Sequence, residues 1–111
     1  MKYSVVERLE LRSLTSGEED LETHLDRVLE ALLDLGAGDA DMGGSLASGV
    51  FAISMTVDAT SALEAQALAA RHIRGAIESA GGFVADAGAP RPADRWPAFE
   101  LRPVGAEPLR A

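Results

Sequence analysis

From Tyr3 to Arg12 the chain alternates, with Tyr3, Val5, Leu9 and Leu11 on one side and Ser4, Arg8, Glu10 and Arg12 on the other. That is the period of a half-buried strand. Val6 and Glu7 invert the pattern, which predicts a bulge or a locally covered outer face there. A change of period follows. Thr15 and Ser16 each stand three residues ahead of a glutamate, Glu18 and Glu19, the spacing of a capping box, and Asp20 adds an acid to the first turn where the helix dipole favours it. Leu21, Leu25, Val28, Leu29, Leu32 and Leu35 then recur at helical spacing, and Gly36 marks the exit.

Alternation returns in VFAISMTVDA, residues 50–59, where Phe51, Ile53, Met55 and Val57 share a face opposite Ala52, Ser54, Thr56 and Asp58. Ser61-x-x-Glu64 caps a second helix, for which the spacing predicts an inward stripe of Leu63, Ala67, Ala70, Ile73 and Ile77 and an end at Gly81 and Gly82. The segment GAPRPADRWP reads as a proline-punctuated loop, after which residues 98–104 alternate Phe99 and Leu101 against Glu100 and Arg102. Pro97 and Pro103 flank this last strand and predict a sheet edge, because proline has no N–H to give to a ladder. Residues 1–105 are expected to form one domain and residues 106–111 a loose tail.

Between the two helices the stretch GAGDADMGGSLASG predicts a helix exit, a glycine-weakened edge strand and a Ser48-Gly49 turn. The resulting order is strand, helix, strand, strand, helix, strand. It predicts an α+β, ferredoxin-like βαββαβ two-layer sandwich whose antiparallel sheet runs fourth, first, third, second. In layout, and in segments such as GGSLASGVFAISMTVDA, the chain resembles small actinobacterial ferredoxin-like proteins of unassigned function. The resemblance implies that fold and carries no catalytic or binding residue onto this sequence.

Composition narrows the function. The 111 residues, 47% hydrophobic and 25% charged, match one globular domain with a single core. No cysteine is present, so disulfides, thiolate metal sites and a cysteine nucleophile are excluded. Neither a secretory leader nor a membrane span is read from the chain, and a cytoplasmic location is expected. From Glu18 to Asp41 there are nine acids and one base, Arg27, so this segment accounts for the whole net charge of -8. Such a surface repels phosphate backbones, and neither nucleic-acid nor membrane binding is expected.

Candidate chemistry is sparse. The glycine-rich stretch follows a helix and precedes a strand, the reverse of a phosphate cradle. Asp39 and Asp41 resemble the start of a calcium loop, but its twelfth position is Val50, where a glutamate is needed. His24 and His72 lie on different helices without carboxylate partners at recognisable spacing, which provides no metal site. His72 is expected on the solvent side. No catalytic residue and no cofactor is assigned.

Interaction surfaces remain. Glu22, Asp26, Glu30 and Asp34, four residues apart, form an acidic line on the first helix that suits a basic protein partner. Arg8, Glu10 and Arg12 lie on a sheet face expected to be open, together with Val6, Ala52, Ser54, Thr56, Asp58, Glu100 and Arg102. That face bears no aromatics for base stacking and is expected to self-associate as a dimer. Trp96 is expected either to clamp its loop on the core or to sit in an interface. The expected function is a non-enzymatic interaction or accessory module. The alternative is a sensor of an anionic metabolite at the turn and helix start from Ser13 to Asp20, and a cofactorless cyclase or oxygenase ranks below both.

Overall fold

The computed structural model describes residues 1–14, 18–36, 39–45, 48–85 and 99–110. In chain order these form β1 (Lys2–Leu14), α1 (Glu18–Asp34), β2 (Asp41–Ser45), β3 (Val50–Asp58), α2 (Ala62–Ser79), β4 (Gly82–Val84) and β5 (Phe99–Arg110). The five strands make one sheet in the order β2-β3-β1-β5-β4. β1 pairs antiparallel with β3 on one side and β5 on the other, β2 pairs antiparallel with β3, and β4 pairs parallel with β5. No described helix is long and apolar enough to cross a membrane.

Alternation builds the core. Tyr3, Val5 and Leu9 of β1, the odd-numbered positions 51–57 of β3, and Phe99 and Leu101 of β5 are all buried. They share one hydrophobic cluster with Leu21, Leu25, Val28 and Leu32 of α1 and with Ala65, Ala69, Ile73, Ala76 and Ile77 of α2, so both helices lie on the same face of the sheet. Each large aliphatic side chain buried in this way contributes about 1.5–3 kcal/mol.

Local signals set the ends of α2. Ser61 is extended and its Oγ accepts a hydrogen bond from the Glu64 N–H at 3.1 Å. The Thr60 hydroxyl donates to Glu64 Oε2 at 2.8 Å, closing the box from the other side. At the far end Gly81 takes φ 91°, a left-handed conformation that glycine adopts without a Cβ clash.

Two expectations about the sheet are overturned. It is not a four-stranded antiparallel sheet in the order fourth, first, third, second. Gly82–Val84, which begins at the glycine read as the end of the second helix and was not read as a strand, is a fifth strand running parallel to β5, which makes the sheet mixed and moves β5 off the edge. Three residues are too few to show a period. Nor are residues 106–110 a tail, because Ala106, Glu107 and Pro108 pair with Glu7, Val6 and Val5. The prolines still have a physical reason. β4 covers β5 only as far as Leu101, so Pro103 and Pro108 fall where the strand has β1 alone as a described neighbour.

The inward stripe of α2 is also rotated from the expected one. Leu63 is 80% exposed, and Ala67 and Ala70 are exposed as well, while Ala65, Ala69, Ile73, Ala76 and Ile77 face the sheet. Alanine carries a weak hydrophobic signal, so one bulky leucine at the helix start outweighed the true stripe. Contact with the sheet is what selects the alanines: their small side chains let the helix approach closely.

Candidate functional site

β1 continues its alternation through the apparent break. Tyr3, Val5, Glu7 and Leu9 all point to the helix-covered side, and Glu7 is only 7% exposed. A carboxylate among aliphatic neighbours is costly unless hydrogen-bonded or paired, and glutamates are seldom so deeply buried. Buried acids of this kind concentrate at functional sites.

Beside Glu7 is a cavity of about 300 Å³. α2 contributes Gln66, Ala70 and Arg74, spaced by four and therefore on one face of the helix. Ala70 leaves room between the amide and the guanidinium. The floor comes from Leu9 and the roof from Val84 of β4 and from the 103–106 stretch of β5. Here the β1–β5 register slips: Leu9 faces Pro103 while Arg8 faces Gly105, so Val104 is the extra residue of a bulge. Bulges next to binding sites re-aim side chains and end regular pairing, and this one flanks the cavity.

Chemically the wall combines a carboxylate acceptor, a planar guanidinium with five donors, and an amide that both donates and accepts. Glu7 and Arg74 each have a partner within the fold, so both are held in place. Their combination with aliphatic surfaces from Leu9, Ile73 and Val84 suits a compact polar molecule with a small apolar part.

The other sequence candidates are dispersed. Glu22 and Asp26 line a separate groove between α1 and β2. Glu30 is exposed on α1, and Asp34 flanks a shallow cleft between the helices with Leu35 and Gly75. On the opposite sheet face Arg8 pairs with Glu107 at 3.8 Å and Arg102 with Glu10 at 3.1 Å, while Arg12 is exposed. Glu100, expected to be solvated there, is 8% exposed and adjacent in register to the buried Phe83. Trp96 and the Ser13 to Asp20 turn proposed for anions lie outside the described residues and side chains.

Both histidines are structural participants. His24 lies 5.0 Å from the Phe99 ring, centroid to centroid, and its Nδ1 is 3.2 Å from the Ala80 carbonyl, a contact in which the imidazole donates. It ties α1 to the end of α2. His72 is half-buried rather than solvated, because the inward stripe of α2 passes beside it, and its Nδ1 is buried with no hydrogen-bond partner among the described residues.

Asp39 and Asp58 mark the end of the sheet nearest the N-terminus. Thr56 donates to Asp39 through both its hydroxyl and its N–H, the latter at 3.2 Å, and holds that carboxyl below the usual aspartate range. The N-terminal ammonium, 2.8 Å from Asp58, lowers that carboxyl too, first by its hydrogen bond and then by its charge. No described group of three or more His, Cys, Asp or Glu residues is placed to hold a metal.

No protein-family profile matches this chain, and no curated protein or solved structure matches it. Function therefore rests on the geometry. Sequence reasoning missed Glu7, Gln66 and Arg74. The signal for Glu7 was the Val6-Glu7 inversion: an acid in an inward register position. The signal for the other two was their spacing of eight on α2, hidden by the misplaced stripe.

Proposed function

We propose that this protein binds a compact polar metabolite in the cavity under α2, with Glu7, Arg74 and Gln66 as the polar contacts. The observation that carries the reading is the burial of Glu7 on the apolar side of the sheet, beside a cavity of about 300 Å³. That volume is at the small end for ligand sites and corresponds to a metabolite rather than a peptide. A ligand with both an acceptor for Arg74 and a donor for Glu7, such as an amino or hydroxy acid, matches the wall best. Binding, with no reaction attached, is the function assigned.

An NMR titration with a panel of small amino, hydroxy and keto acids tests this reading. Expected are saturable amide shifts confined to residues 5–9, 66–74 and 103–106. A panel that moves none of these, or that moves only residues far from the cavity, would refute it.

A second reading, a self-associating interaction module, is favoured by the sheet face away from the helices. Among the described residues nothing covers its β3–β1 part, where Val6, Ala52 and Ser54 are half-buried. Arg8 and Glu10 are paired within the chain, with Glu107 and Arg102, which leaves apolar contact to hold two copies together. Exposed pairs contribute only about 0–1 kcal/mol. Sedimentation as a monomer at micromolar concentration, in low and in moderate salt, would sink this second reading.

A further inference from the structure

We infer that the free edge of β2, with the groove between β2 and α1, docks an extended peptide segment that alternates basic and apolar residues. Sheet order leaves β2 at the edge, so the outer N–H and C=O groups of Asp41–Ser45 have no strand beside them among the described residues. An edge of this kind is a template for another strand unless it is guarded. Toward the other side of the sheet, the stretch of β5 that β4 does not cover carries Pro103 and Pro108. β2 carries no proline.

Its glycines do the reverse of guarding. Gly43, on the outer face opposite Ala52, has only open space where a Cβ would be. Gly44 faces inward opposite Phe51, and a Cβ there would lie 2.8 Å from Phe51 Cα, closer than any side chain tolerates. Gly44 is therefore fixed as glycine by the β3 backbone packed against it. Between β2 and α1 runs a groove of about 340 Å³ whose apolar lining includes Leu25, Leu29 and Phe51.

Charge chooses the occupant. Glu22 and Asp26, one turn apart and exposed, line the α1 wall. Lysine or arginine on an incoming strand can lay its aliphatic stem over Leu25 and Leu29 while its head reaches these carboxylates. A second copy of this chain fits badly: a two-fold interface brings each patch against itself, so the acidic α1 walls formed by Glu22 and Asp26 would meet like charge.

Selection from a display library of fully randomised ten-residue peptides, followed by amide exchange on the complex, tests the inference. Enriched sequences should alternate basic with apolar residues and should protect the amides of residues 41–45. The double variant Glu22→Gln, Asp26→Asn, at exposed helix positions that leave the fold intact, should weaken binding about fivefold. Failure to enrich any sequence, enrichment of acidic or non-alternating peptides, or unprotected 41–45 amides would overturn it. So would protection of those amides that rises with protein concentration alone, since the occupant would then be a second copy. The cavity under α2 is not involved in any of these outcomes.

Discussion

Glu7 lies directly across the β1–β5 seam from Ala106. A methyl group therefore sits beside the buried residue, and Ala70 of α2 lines the same cavity, so neither element fills it. The cavity is thus a product of small residues at two positions, one per element.

Ala106→Leu should fill that space. The variant is expected to keep its circular dichroism spectrum and to lose the ligand-induced amide shifts at residues 66–74. Retention of those shifts would mean that the ligand binds elsewhere.

Gly82→Ala tests the fifth strand. A Cβ at residue 82 would press into the Phe99 ring and come 2.8 Å from Ile77 Cγ2, both buried and unable to yield cheaply. Overpacking of this kind costs about 1–3 kcal/mol, to be read as a lower urea midpoint with unchanged slope. Wild-type stability in this variant would argue against β4 as described.

Much of the fold was legible because the signal was bulky. Of the large residues read on the inward faces of β1, β3 and α1, Leu9, Phe51, Ile53, Val57, Leu25, Val28 and Leu32 are buried, Leu11 and Leu29 are partly exposed, and Leu35, at the helix end, is exposed. The rest was hidden for physical reasons. β4 is three residues long and buried throughout, so it shows no alternation, and its parallel pairing depends on contacts distant in sequence. The α2 stripe is written in alanine, so Gln66 and Arg74 were not placed beside the sheet. Glu7 was visible as an irregularity, and its meaning depended on knowing that the alternation ran through it unchanged.

Ser61→Ala should remove the cap of α2. The lost bond to the Glu64 N–H is expected to lower stability by about 1 kcal/mol, measured by urea denaturation. No loss would show that the Thr60–Glu64 contact alone holds the first turn.

Asp39 and Asp58 should titrate low. Both carboxyls are lowered in the fold, so their contribution to stability is present above the ordinary aspartate pKa of about 3.9 and is lost as pH falls through the lowered value. Both are exposed, and the effect on stability is correspondingly small. Carboxyl-carbon NMR reads it directly: Thr56→Val should return Asp39 toward the ordinary range without moving Asp58, and N-terminal acetylation should do the converse. Midpoints unaffected by either change would remove the assigned causes.

Ligand binding should turn on Glu7, and thermal unfolding of the wild type and Glu7→Gln across the same acid panel measures that dependence. A compound that binds in the cavity should stabilise the wild type by about 2.7 kcal/mol when present at a hundred times its Kd. The variant, folded and otherwise alike, should show little of that gain because the charge-assisted contact is lost. Equal stabilisation of both proteins, or none of the wild type by any member of the panel, would contradict a binding role for Glu7.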